Sequence, residues 1–154
     1  MKINWIENYY DILKSHAINC NIIRRMHGWI ETIDIEDNLY YTKSKTYDSK
    51  RREYFIGVDS KKPLEDCDFT LICGGESRKI RDLFIIPWDI YITTLKEGET
   101  INTYKLPKEY FQFKSYIRHR EKDWYLSVLG GQRPRINISQ YRYNLNDSIK
   151  FFKI

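Results

Sequence analysis

Between Asp68 and Leu95 the chain runs DFTLICGG, ESRKIRD, LFIIP and WDIYITTL, and that order leaves it few ways to fold. Phe69, Leu71 and Cys73 alternate with Thr70 and Ile72, which predicts a strand ending at Gly74-Gly75. Leu83–Ile86 is a short, wholly apolar run of the kind buried on both faces of a sheet. Pro87 cannot donate to a ladder, so it stops the second strand and suits the first position of a helix. Ile90, Tyr91 and Leu95 then recur at helical spacing. Ser77, Arg78, Lys79 and Arg81 fall between the two strands, which makes them a basic loop on a rigid base.

The rest of the chain repeats this style. A helix is expected at the N-terminus, with Asn4 as N-cap, Glu7 three residues on, and Ile6, Tyr9 or Tyr10, Leu13 and Ala17 as its apolar face. Alternation from Cys20 to Tyr47 predicts a hairpin turning near Glu36-Asp37-Asn38. Residues 42–53 read as an exposed loop, 54–58 as a strand and 59–67 as a loop with Pro63. A long connection over 96–109 leads to strands at 110–117 and 124–129, with RHREKD as a charged turn between them. Gly130–Arg135 forms a second basic loop, followed by a strand at 136–138, a helical turn at 141–145 and a closing strand at 149–154. Many short strands with frequent turn signals predict a mainly β fold, an open pseudobarrel of about seven strands with short flanking helices. At 154 residues the chain is one domain's worth.

Charge points to a partner. Residues 1–77 carry 11 Lys and Arg against 13 Asp and Glu, and residues 78–154 carry 15 against 8, so the halves differ as −2 and +7. The positive field therefore begins at the first basic loop and fits a polyanion. Both loops hold residue types that contact base edges, because Arg bridges guanine O6 and N7 and Asn or Gln bridges adenine N6 and N7. The candidates are Ser77, Arg78, Lys79 and Arg81 in one, and Gln132, Arg133, Arg135 and Asn137 in the other. Arg118 and Arg120, with His119 between them and Lys114 and Lys122 nearby, extend the set for phosphates. Glycine pairs at the loop bases would allow close backbone approach.

Enzyme chemistry finds less support. A metal nuclease of the PD-(D/E)xK kind needs an acid-x-Lys triplet at a strand end, and Asp59-Ser60-Lys61 supplies one, with Asp34 and Asp37 upstream. His16, His27 and His119 have no ligand spacing with each other or with Cys20, Cys67 and Cys73, so no metal or other cofactor is expected. Ser77 and Ser127 lack evident His and Asp partners. Trp88 and Trp124 read as core. Three cysteines without a CxxC pair suit reduced, buried thiols in a cytoplasmic protein, and no run is long and apolar enough for a membrane span. A duller alternative is a protein-interaction domain whose basic face meets an acidic partner.

The order of elements resembles the B3-like pseudobarrel DNA-binding domain of plant transcription factors and restriction-enzyme specificity domains. The matching pieces are Asp68–Gly75, Ser77–Arg81, Leu83–Leu95, Trp124–Val128, Gly130–Arg135, Tyr141–Leu145 and Asp147–Phe151. They lie within residues 68–154, leaving 1–67 as an added helix and strands. The resemblance implies a non-catalytic module that grips the major groove of double-stranded DNA, with Ser77–Arg81 as one arm and Gln132–Asn137 as the other. The tyrosine-rich style is similar to the N-terminal recognition domains of McrB-type restriction GTPases. That likeness, with the apolar ending FFKI, implies a motor or nuclease domain after Ile154.

Overall fold

A computed structural model gives the fold and describes residues 3–60, 66–97, 112–128 and 135–153. The described chain is mainly β with an N-terminal helix, as expected, but it has ten strands rather than about seven. They form two open sheets, in two compact units.

The first unit comprises residues 1–47, 67–87 and 141–154. Helix α1 (Trp5–Ser15) starts at Asn4, whose side chain accepts from the Glu7 N–H at 3.2 Å. It stops in a Schellman turn, where Ile18 N–H reaches Leu13 O and Ala17 N–H reaches Lys14 O. Ala17 is therefore no part of the apolar face. It is exposed beyond the helix with φ +58, a conformation that suits glycine. Ala17→Gly is expected to raise stability by about 1 kcal/mol in urea unfolding.

Strands β1 (Cys20–Met26), β2 (Trp29–Ile35), β3 (Asn38–Thr46), β5 (Phe69–Glu76), β6 (Lys79–Pro87) and β10 (Arg142–Tyr143) form the sheet in the order β1-β2-β3-β5-β6-β10. The Glu36-Asp37 hairpin stands as expected, and a second one, turning at His27-Gly28, precedes it. In both turns the two central residues have positive φ, the mark of the type I′ turn whose twist matches the strands. Pro87 is the last residue of β6, opposite Phe69, and the next helix begins one residue later. Leu83–Ile86 is fully buried, as its unbroken apolar run requires. Leu71, Cys73, Leu83, Ile85, Ile33 and Tyr40 share one core with Tyr9 and Leu13 of α1.

The C-terminus departs from expectation. Residues 145–152 form helix α3 (Leu145–Phe152), not a closing strand, and the matching piece Asp147–Phe151 is helical. Asn144 caps the helix by accepting from the Asp147 N–H at 2.8 Å, and Ile149 and Phe152 enter the core three residues apart. The helical turn expected at 141–145 is a 3-10 turn at Ser139–Tyr141 followed by β10. Tyr9 Oη donates to Ser148 Oγ at 2.7 Å, and burial pushes the Tyr9 phenol up, so it remains a neutral donor.

The second unit comprises residues 48–66 and 88–140. Its strands are β4 (Glu53–Ser60), β7 (Gln112–Arg120), β8 (Asp123–Val128) and β9 (Arg135–Asn137), in the order β4-β7-β8-β9. Helix α2 (Trp88–Glu97) packs against β8. Tyr54, Ile117, Leu126 and Trp124 are buried with Trp88 and Tyr91. The loop expected at 42–53 shrinks to 47–52, since β3 runs to Thr46 and β4 starts at Glu53. Asp48 organises that turn, its carboxylate accepting from the Lys50 and Arg51 N–H groups at 3.1 Å. Arg118, His119 and Arg120 are strand residues of β7, not a charged turn, because β7 pairs with β8 as far as Arg120↔Asp123. Among the described residues no helix is long and apolar enough to cross a membrane.

Candidate nucleic-acid interface

The first basic loop is shorter than its sequence suggests. Glu76 pairs with Lys79, so Ser77 and Arg78 alone make the turn, with φ of +51 and +66. That is again a type I′ geometry, here built without glycine or asparagine. Ser77, Arg78 and Lys79 are exposed at its tip. Arg81 faces inward. Its guanidinium lies 3.8 Å over the Tyr47 ring, 3.5 Å from Glu76 and 2.5 Å from the fully buried Asp82. Arg142 holds the other oxygen of Asp82 at 2.6 Å. Arg81 is thus a packing and pairing residue of the sheet.

Gly75, at this loop's base, also has a different role from the one expected. A Cβ on Gly75 would sit 2.2 Å from the Trp5 indole, so Gly75 makes room for α1.

The other candidates gather in the second unit. Arg118 and Arg120 both reach Glu53, at 3.2 and 3.7 Å, and Glu53 is buried. Arg120 also donates to the carbonyls of Arg51 and Arg52. Arg135 and Asn137 are exposed on β9. Arg135 lies 3.9 Å over the Tyr125 ring, and Asn137 Oδ1 accepts from Ser139 N–H at 2.9 Å. A bidentate contact from Asn137 to adenine would have to release that bond. Gln132 and Arg133 lie outside the described residues.

The strand register sets these residues in rows on one face of the sheet. Phe55, Tyr116, Ser127 and Arg135 are successive partners across β4, β7, β8 and β9. Glu53, Arg118, Tyr125 and Asn137 form the next row, and Arg120 faces Asp123 beyond it. Phe55 and Tyr116 pack at 5.2 Å, and Arg118 lies 4.3 Å over the Tyr116 ring. Composition alone could not single out this face. The alternation Tyr116-x-Arg118-x-Arg120 could have, once the three positions were taken as strand.

The groups of the enzyme readings are placed as follows. Asp59 is in β4 opposite Phe113, while Lys61 lies outside the described residues. Burial pushes the Cys73 and Cys20 thiols up, away from the thiolate a nucleophile needs, and Cys67 is half-buried. His119 stacks on Trp124 at 4.4 Å with its Nδ1 3.1 Å from Arg52, in a structural pairing. Among the described residues no three His, Cys, Asp or Glu side chains are grouped to hold a metal ion. Trp88 and Trp124 are core residues, as expected.

No protein-family model, curated protein or solved structure matches the chain.

Proposed function

We propose that this chain is a non-catalytic, sequence-reading module for double-stranded DNA, of the kind a bacterial restriction system uses for recognition. One observation carries the reading. Arg78 is exposed at the tip of a two-residue turn, next to exposed Lys79, in a left-handed conformation that glycine would adopt at lower cost. Two neighbouring cations exposed at the tip of a two-residue hairpin turn are placed to meet a polyanion. Its guanidinium suits the guanine edge, and Lys79 suits a phosphate. Arg135 and Asn137, exposed on β9 of the second unit, are further candidate contacts.

The strain makes a clean test possible. Arg78→Gly relieves the turn and removes the cation, so stability should hold or rise by up to about 1 kcal/mol. Affinity for a target duplex, selected from a random pool in Mg²⁺ buffer, should fall by about 1–3 kcal/mol, with sequence preference relaxed. The wild type should give intact DNA and a log–log salt slope of about −4 to −6. Unchanged affinity and preference in Arg78→Gly would remove this arm, and cleaved DNA would move attention to Asp59.

A further inference from the structure

The four-stranded sheet carries rings and guanidinium groups together on one face. Phe55 is 44% exposed, although an aromatic side chain of its size gains by burial. It packs on Tyr116, Arg118 lies over Tyr116, and Arg135 lies over Tyr125. Ser127, at the centre of the first row, is only 2% exposed. The face carries few carboxylates. Glu53 is buried against Arg118 and Arg120, and Asp123 accepts from Ser139 Oγ at 3.1 Å.

We infer that this face binds single-stranded nucleic acid, with an unpaired base stacking on the exposed Phe55 ring and the guanidinium groups of Arg118 and Arg135, held over Tyr116 and Tyr125, meeting the phosphates. Two physical points select this occupant. In a duplex the flat faces of the bases are hidden in the stack, so rings on a sheet can reach them only in an unpaired strand. An acidic peptide would satisfy the guanidinium groups but gives the exposed Phe55 ring no flat partner. Neighbouring residues across the sheet lie about 5 Å apart, so a strand of a few nucleotides with a base on Phe55 can reach Arg135 at the other end of the row.

The inference shares Arg135 with the duplex reading, which is tested separately at Arg78. Fluorescence anisotropy with labelled 12-mers of dT, of U, and of abasic deoxyribose phosphate separates base stacking from charge. The dT or U strand should bind at least about tenfold more tightly than the abasic strand of equal charge. Whichever of the two binds more tightly tells DNA from RNA. Phe55→Ala should weaken that strand about fivefold or more and leave the abasic strand unchanged, while Tyr125→Phe, which keeps the ring, should bind as the wild type does. Circular dichroism checks that Phe55→Ala keeps its fold, and Phe55→Leu serves if it does not. Arg78→Gly should leave single-strand affinity untouched. Equal affinity for the abasic strand, displacement by poly-glutamate at equal charge, or no response to loss of the Phe55 ring would each overturn the proposal.

Discussion

Gly75→Ala is expected to destabilise the protein by about 3 kcal/mol, a large effect for one added methyl. The added Cβ would meet Cε2, Cδ2 and Cζ2 of Trp5 at 2.2–2.4 Å, the body of the indole rather than a flexible end. The indole has little room to yield. Trp5 is 2% exposed, its backbone N–H donates to Ser44 Oγ at 2.7 Å, and its Nε1 reaches Thr46 Oγ1 at 3.5 Å. Relief therefore requires α1 to shift off the sheet and open the core around Tyr9 and Leu13. Urea unfolding of Gly75→Ala, Trp5→Leu and the double variant measures the coupling. The glycine substitution should cost at least about 1 kcal/mol less in the Trp5→Leu background. Equal cost in both backgrounds would show that backbone conformation, not the indole, sets the requirement. Gly28 is the contrasting case, with φ +83 and nothing within 4 Å of an added Cβ, so there the backbone is what matters.

Gly75 also shows where sequence reasoning stops. The strand, the glycine pair and the buried Leu83–Ile86 run are local patterns, and each was legible. The partner of Gly75 is 70 positions away in the chain, and no local period announces it. Three cations in four residues read as one loop for the same reason, but the two-residue turn sets Arg81 in β6, over the Tyr47 ring, and leaves Arg78 and Lys79 exposed. At the C-terminus the signal was present and outvoted. Ile149 and Phe151 alternate like strand residues, yet Asn144 with Asp147 repeats the capping spacing of Asn4 with Glu7, and that spacing decides the helix. The aromatic–arginine face was half legible. Its strand partners come from four separate segments, and only pairing register brings Phe55 beside Tyr116 and Tyr125 beside Arg135.

Asp82→Ala is the second large effect, expected to cost about 2–3 kcal/mol. Asp82 is fully buried at the start of the apolar run of β6, and its two oxygens are divided between Arg81 at 2.5 Å and Arg142 at 2.6 Å. Removing one member of a buried ionic group usually costs more than this, because the remaining charge stays stranded away from water. Here the two arginine side chains are about a third exposed, 33% and 38%, so water can take over part of their solvation and the cost falls. The loss is also local. β10 pairs with β6 at only two positions, Arg142↔Phe84 and Tyr143↔Leu83, so the guanidinium bond from Arg142 is a large share of what fixes this edge strand. Hydrogen exchange in Asp82→Ala should accelerate at Arg142, Tyr143 and the first turn of α3, and much less at the paired amides of β2 and β3. Asp82→Asn keeps the shape and one acceptor, and should fall between the variant and the wild type. Arg142→Met removes the same link from the other side while leaving Asp82 its bond to Arg81, so it should loosen β10 at a smaller global cost. Uniform acceleration across both sheets in Asp82→Ala would mean the carboxylate supports the whole fold rather than its C-terminal edge.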